Sequence, residues 1–447
     1  MKKSIRRPVT LLLAGFICTS MLSACGREAA PDSSEQVSSK SSPAEEAYGE
    51  TAGLSDEPVT LTFVRAGTDE LAEKTYKELI AEYTTMHPNV TIEYQQYSFG
   101  AELETKLNTL YASGSAPDLV RAPISTIAQR ASLGQYAALD EYIDQWEEKD
   151  KIIQTAYDVA SYKDQCYGVA VNMEATFMLY RKDHFLEAGL DPESPPATWE
   201  ALYDAAEKLT IREGNSVVRA GAAMPTALGH AVFISFARQN GGLLVDEEHN
   251  KPVFNEAATA EALDYLASYG KNNLVIPYSA NMDQNPFELG KASIMFGSLN
   301  TYKTIKASGV DWADELMYAP MPGRVNNSCF GGSQIMFMSE ESKHKEWAWD
   351  FMKFLFTRES VLKLMTDAGS SPVRTDISDE FIAEFPEVGP VYLESLAFCQ
   401  GMPKVEWSAL FEKYLNIAFE EAMYGQKPAQ QALDDAMGLL ESELLVP

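Results

Sequence analysis

The chain has 447 residues, 45% of them hydrophobic and 23% charged. That is ordinary globular composition, which excludes a fibrous or wholly disordered polymer, and the length favours more than one compact lobe. Its 36 basic and 65 acidic side chains leave a net charge of −29, which repels phosphate backbones and anionic headgroups and argues against nucleic acid as a partner.

The chain opens with Lys2, Lys3, Arg6 and Arg7, an apolar run from Val9 to Leu22, and small residues before Cys25. A positive start, a short apolar stretch and a small-residue exit read as a secretory signal over 1–24, too short to span a bilayer as a helix. Leu22-Ser23-Ala24-Cys25 resembles the bacterial lipobox, which makes Cys25 the expected lipidated first residue of the mature chain. The alternative is an ordinary secretory signal with a chance cysteine. Residues 25–57, rich in Ser, Ala, Glu and Pro, lack the apolar content to offset chain entropy and read as a disordered tether. Beyond Cys18 and Cys25, the remaining cysteines are Cys166, Cys329 and Cys399. They are widely spaced and contain no C-x-x-C pair, so neither a disulfide framework nor a zinc site is implied. One pair among the three is able to close, and spacing does not choose it.

From Pro58 the texture changes. Val59–Val64 reads as a strand, and the spacing of Leu71, Tyr76, Leu79, Ile80 and Tyr83 predicts a helix over 71–86 that Pro88 stops. Val90–Tyr94 reads as a second strand, Ala101–Ala112 as a helix, and Asp118–Arg121 as a third strand. This β-α-β-α-β order predicts an α/β lobe. The acidic stretch Asp140–Asp150 reads as a solvated face, and Trp407–Leu445 as helical with a break at Gly425 and Pro428. Trp347 and Trp349, in a helix over 345–356, read as packing residues.

Short motifs then accumulate in a fixed order: His87-Pro88-Asn89-Val90, Ala112 to Val120 with its Pro117-Asp118 step, and Gly134 through Leu139-Asp140 to Ile143. Further on come Tyr180-Arg181-Lys182-Asp183, Thr198-Trp199-Glu200-Ala201-Leu202, Gly290-Lys291-Ala292, and Pro372-Val373-Arg374. Together they resemble the family-1 extracellular solute-binding proteins, the capture subunits of bacterial ABC importers, many of them carbohydrate-specific. The resemblance runs from about Val59 to the C-terminus. It implies an α/β fold of the two-lobed periplasmic-binding-protein kind, with a hinge and an inter-lobe cleft that shuts on the solute. By analogy the N-terminal lobe takes 58–168 plus 326–368, and the C-terminal lobe 169–325 plus 369–447.

Ligands of this architecture sit beyond the carboxyl ends of strands, where planar polar groups meet hydroxyls and aromatic faces meet sugar rings. Arg65 and Asp69 follow the first strand and either bracket a hydroxyl or form a solvated turn in which Asp69 caps the next helix. Arg121 ends the third strand and faces either ligand or solvent. Asn172 and Glu174 follow the segment expected to cross between lobes, and the resemblance puts polar ligand contacts near Asn172. His230 opens a helix, where it meets ligand or caps. The resemblance puts a stacking tryptophan at Leu299; Asn300 and Tyr302 are its substitutes, with Tyr302 alternatively in the core. Phe330, Gly331 and Gly332 lie where the chain returns to the first lobe, the glycines admitting a ligand to the backbone or forming a bulge. Trp407 is either a stacking platform or core.

No G-x-S-x-G elbow, Walker loop or H-E-x-x-H motif occurs. Ser268–Lys271 and Ser360–Lys363 fit S-x-x-K without the companion motifs. The expectation is therefore a non-enzymatic, monomeric lipoprotein of a Gram-positive bacterium, needing no cofactor or metal and anchored on the outer face of the cell membrane. It would carry a sugar or oligosaccharide to ABC permease subunits. Leu299 leaves peptide, polyol phosphate or decorated glycan as other solutes, and Arg65 with Arg121 suits an acidic sugar. The alternative is a secreted glycan-processing lipoprotein hydrolase.

Overall fold

The computed structural model describes residues 54–445 apart from 215, 226–228 and 279–284. The signal-like segment, Cys25 and nearly all of the tether lie outside the described residues.

Strands β1 (Val59–Ala66), β2 (Val90–Tyr97), β3 (Leu119–Pro123) and β4 (Gly168–Met173) belong to one sheet. A second sheet holds β5 (Phe177–Arg181), β6 (Ser216–Pro225), β7 (Val275–Tyr278), β8 (Ala292–Gly297) and β9 (Leu316–Ala319), with Ile211–Glu213 paired to β6. The chain then passes through β10 (Cys329–Phe330), returns to the first sheet as β11 (Ser333–Met338), and later forms β12 (Cys399–Gln400) against β10. Spatial order is β2-β1-β3-β11-β4 in the first sheet and β7-β6-β8-β5-β9 in the second.

Helix α1 (Glu70–Met86) buries Ala72, Thr75, Tyr76, Leu79 and Tyr83, the apolar stripe of a 3.6-residue repeat, and Asp69 caps it by accepting the Ala72 N–H at 2.9 Å. Helix α2 (Ala101–Ala112) buries Leu103, Leu107 and Tyr111. The motif residue Asp118 ties β1 to β3, because its carboxylate accepts from both the N–H and the hydroxyl of Thr62, each at 2.8 Å, and from Ser342 at 2.6 Å. In the second lobe α3 (Trp199–Leu209) is capped by Thr198, and the fully buried Trp199 donates its indole N–H to Gln239 at 2.7 Å. Helices α4 (Gly229–Gln239), α5 (Ala257–Lys271) and α6 (Leu299–Ser308) follow. Both S-x-x-K strings lie in helices, the first in α5.

Helices α7 (Lys345–Leu355) and α8 (Arg358–Ala368) lie on the first lobe, where Trp347 and Trp349 are buried as the sequence predicts. Helices α9 (Ser408–Met423) and α10 (Ala429–Leu444), separated at Gly425 and Pro428, close over the second. Each sheet has its own apolar core. Leu61, Phe63, Leu119, Val169, Phe337 and Phe351 are central to the first; Phe177, Leu179, Phe233, Ile294, Phe411 and Phe419 to the second. Sheet and core membership cross the expected lobe limits in both directions, with Cys329 and Met365 joining the second core. The first sheet takes β4 through Met173 because Val169 and Ala170 are needed beside β11, and the first core takes Val373. Arg374 fixes the latter by bonding both carboxylate oxygens of Glu148, the Phe356 carbonyl and Asp376.

Candidate functional site: the edge where two sheets meet

Strand direction defines the site. In the first sheet β1, β2 and β3 are mutually parallel and β11 runs against both β3 and β4, so the carboxyl ends at Ala66, Tyr97, Pro123 and Met173 share one edge. In the second sheet β6, β7 and β8 are parallel, and β8 and β9 each run against β5; their carboxyl ends lie at the edge where β5 begins. Only residues 174–176 separate Met173 from Phe177, so the two carboxyl edges adjoin. Three segments lie side by side at this junction. Glu174 N–H donates to Gly332 O at 2.7 Å and Thr176 N–H to Phe330 O at 2.9 Å, while Gly331 N–H donates to Gln400 O at 2.9 Å.

On the first-lobe rim, Arg65 is 1% exposed. Its guanidinium donates to Asp69, to Gly67 O at 3.2 Å, to Gln96 at 3.1 Å and to Tyr94 OH at 3.4 Å. Asp69 therefore does both things the sequence allowed: it caps α1 and pairs with Arg65. Burial raises the Asp69 carboxyl, but the Arg65 charge and the Ala72 N–H outweigh it and leave it below the usual carboxylate range. Arg121 stands opposite Arg65 in the β1–β3 register, and both guanidinium groups lie over the Tyr76 ring, at 5.5 Å for Arg65 and 5.7 Å for Arg121. Arg121 is buried and donates to Ala66 O at 3.1 Å, and its Nε has no hydrogen-bond partner among the described residues.

The sequence reading passed over Phe99. It follows β2 at the same edge and is 54% exposed, and a Cβ on Gly67 would stand 3.1 Å from its ring. Gly67, at φ +98°, supplies the room for that aromatic face. The available signal was an unpaired aromatic directly beyond a strand's carboxyl end.

At the junction a bulge opposite Gln334 and Ile335 leaves Val171 out of register and re-aims Asn172. Asn172 accepts the Gln334 N–H at 2.9 Å and donates to Glu174 at 3.4 Å. The other carboxylate oxygen of Glu174 is shielded and has no hydrogen-bond partner among the described residues. Burial raises the Glu174 carboxyl, opposed by the Lys303 charge; burial likewise lowers the Lys303 amine, opposed by Glu174. Gly331 serves close backbone packing, since a Cβ there would lie 2.9 Å from Glu174 O and overlap the Cys399 sulfur; a Cβ on Gly332 would meet only Glu174 Cβ, at 3.8 Å.

On the second lobe, His230 opens α4 as expected and is buried against α9. Its N–H donates to Asn416 Oδ1 at 3.0 Å, and Phe330 meets the imidazole edge-on at 5.8 Å. Asn300 is exposed at the start of α6. Tyr302 packs edge-on against Tyr318 at 5.2 Å, and Leu299 is buried. Trp407 takes the core reading. It is 7% exposed, donates to Asn250 at 2.9 Å and lies against Phe411. The structure thus gathers Arg65, Asp69 and Arg121 around Tyr76, Asn172 with Glu174 and Gly332, and His230 with Phe330; Trp407 joins none of these.

The lobes also touch away from the hinge. Glu406 accepts from Tyr162 OH at 2.7 Å and pairs with Lys163 at 3.3 Å, and Ser408 donates to Ser125 O at 2.8 Å. A recess of about 410 Å³ lies between Ser161–Asp164 and the group Glu247, Glu248, Asn250 and Lys404. Among the described residues no cluster of three or more metal-ligating side chains occurs, and no helix is long and apolar enough to cross a membrane.

Two α/β lobes, each discontinuous in sequence and meeting at their strand carboxyl ends across a hinge, define a binding protein of the two-lobed periplasmic class. Residues 78–389 match the model of the bacterial extracellular solute-binding protein family, and the chain belongs to that family. It is 26% identical over 318 residues to the maltotriose-binding protein of Pyrococcus abyssi, a match covering 68% of this chain and 64% of that one. It is 22% identical over 415 residues to the arabinooligosaccharide-binding protein of Bacillus subtilis, covering 83% and 90%. Among solved structures, the sugar-binding protein MalE of Xanthomonas citri superposes with a TM-score of 0.76 at 19% identity, covering 86% of this chain and 97% of that one. The substrate-binding protein Lmo0181 of Listeria monocytogenes, in complex with cycloalternan, gives 0.74 at 22% identity, covering 87% and 99%.

Proposed function

We propose that this chain captures an extracellular saccharide between its lobes and delivers it, chemically unchanged, to the membrane subunits of an ABC importer. The observation that carries this reading is the junction of two strand carboxyl edges across a three-segment hinge. That geometry surrounds a ligand on two sides, so a closed state gains contacts the open state lacks and the ligand shifts the equilibrium. Support for a saccharide comes from relatives named for binding maltotriose, arabinooligosaccharide and lactose. Phe99 offers a ring face, and Asp69, Asn300 and Glu174 offer hydroxyl partners; Arg65 and Arg121 hold the rim from beneath. The protein acts as a monomer without catalysis, tethered to the outer face of the cell membrane through lipid on Cys25.

Calorimetry against a panel of α- and β-linked oligosaccharides, neutral and uronate, tests this. One-to-one binding, with the sugar recovered intact by chromatography, is expected. Absence of binding across the panel refutes the saccharide reading, and recovery of shortened sugar refutes capture in favour of hydrolysis.

A further inference from the structure

Cys329 and Cys399 are 70 positions apart in sequence and direct partners in space. Strands β10 and β12 are parallel, with Cys329 in register with Cys399 and Phe330 with Gln400. Neighbouring strands run about 4.8 Å apart, inside the span of roughly 4.4–6.8 Å between Cα atoms that a disulfide bridges. The side chains also share a face. Cys329 and Gly331 point the same way along β10, and the Cys399 sulfur occupies the space a Gly331 Cβ would fill. In the reduced chain the Cys329 thiol donates to Ser395 O at 3.4 Å and the Cys399 thiol to Glu174 O at 3.3 Å. Cys166, the third cysteine of the described body, belongs to the first core while Cys329 and Cys399 belong with the second, and its thiol donates to Gly168 O at 3.1 Å.

We propose that Cys329 and Cys399 form a disulfide that staples the returning hinge strand to the 399–400 segment. The family works outside the cell, where disulfides persist. The oxidant is an external disulfide. Cys399 is partly exposed while Cys329 is wholly buried, so the Cys399 thiolate attacks first and releases one thiol of the reagent. Cys329 then attacks the Cys399 sulfur of the mixed disulfide and releases the second. Two S–H bonds are lost and one S–S bond forms; the reagent takes both electrons and both protons and leaves as two thiols. The neighbouring Cys329 thiol and burial hold the Cys399 thiol well up, so the first step is slow at neutral pH and quickens as pH rises.

The test is peptide mapping of the full chain, exposed to oxidised glutathione in the folded state, then denatured with iodoacetamide and digested without reductant. The expected result is a cross-linked peptide joining Cys329 to Cys399, lighter than the sum of its parts by two hydrogens, with Cys166 fully alkylated. In Cys166→Ser the same link forms, and in Cys329→Ser Cys399 is recovered as a glutathione adduct or alkylated. Full alkylation of both cysteines in the wild-type chain overturns the proposal, as does a link that includes Cys166. The readout is covalent and independent of sugar binding, so failure here leaves the capture reading standing, and the converse holds.

Discussion

Asp69→Ala removes two interactions at once, and Asp69→Asn separates them. The carboxylate caps α1 through the Ala72 N–H at 2.9 Å and also pairs with the Arg65 guanidinium, buried to 1% exposure. Loss of an N-cap costs about 1 kcal/mol, within a range of roughly 0.5–2. The ion pair is worth about 1 kcal/mol rather than the larger penalty of a stranded buried charge, because Asp69 itself is 59% exposed and Gln96, Tyr94 and Gly67 still hold Arg65. Asp69→Ala should therefore destabilise the first lobe by about 2 kcal/mol. Asp69→Asn, which caps equally well, should cost about 1 kcal/mol. Urea unfolding followed by the near-ultraviolet signal of the first-lobe tryptophans measures both. Equal losses for the two variants refute the division into cap and charge, and a loss under about 0.5 kcal/mol in Asp69→Ala refutes both contributions.

His184 predicts a pH dependence. Burial, then the charges of Arg181 and Arg219, lower it to about 4 from 6.5. The unfolded chain binds the proton more readily between those values, so stability is full above pH 6.5 and falls as pH drops toward 4, by about 2 kcal/mol at pH 5. In His184→Gln, urea midpoints at pH 7 and pH 5 should lie closer together than in the parent chain; an unchanged gap sinks the assignment. Gly331→Ala forces a Cβ to 2.9 Å from Glu174 O and onto the Cys399 sulfur, and should cost about 1–3 kcal/mol, read from its chemical-denaturation midpoint; a parent-like midpoint removes the hinge-packing account. Phe99→Ala, at a site 54% exposed, should leave stability within about 0.5 kcal/mol while weakening saccharide binding tenfold or more by calorimetry. Unaltered affinity excludes Phe99 from the site.

Local chemistry made the first lobe readable. The alternation in Val59–Val64, the stripe through Tyr76, Leu79 and Tyr83, and the Pro88 stop each express one element's own period, and all three elements are present. Direction of burial was less readable. Trp407 and Arg121 look alike in sequence whether they face a cleft or a core, since what decides is the opposing element, Phe411 and Asn250 for one and Tyr76 for the other. The hinge was visible only in part. Glu174 and Gly331–Gly332 stood out individually, but the third segment at Cys399–Gln400 joins them through pairing across 70 positions, which no periodicity encodes. The expected lobe limit at 168 falls at the start of β4, whose pairing with β11 continues to Met173 in the first sheet.

The place of β11 in the first sheet bears on how the chain is made. This strand comes from residues 333–338 yet lies between β3 and β4, which end at Pro123 and Met173, much earlier in the chain. A growing polypeptide therefore presents two open ladders, lined by Leu119, Val120, Val169 and Ala170, until its last quarter emerges. During that interval the half-made domain is a template for intermolecular pairing, so its yield in the producing cell should depend on a holdase that shields nascent chains.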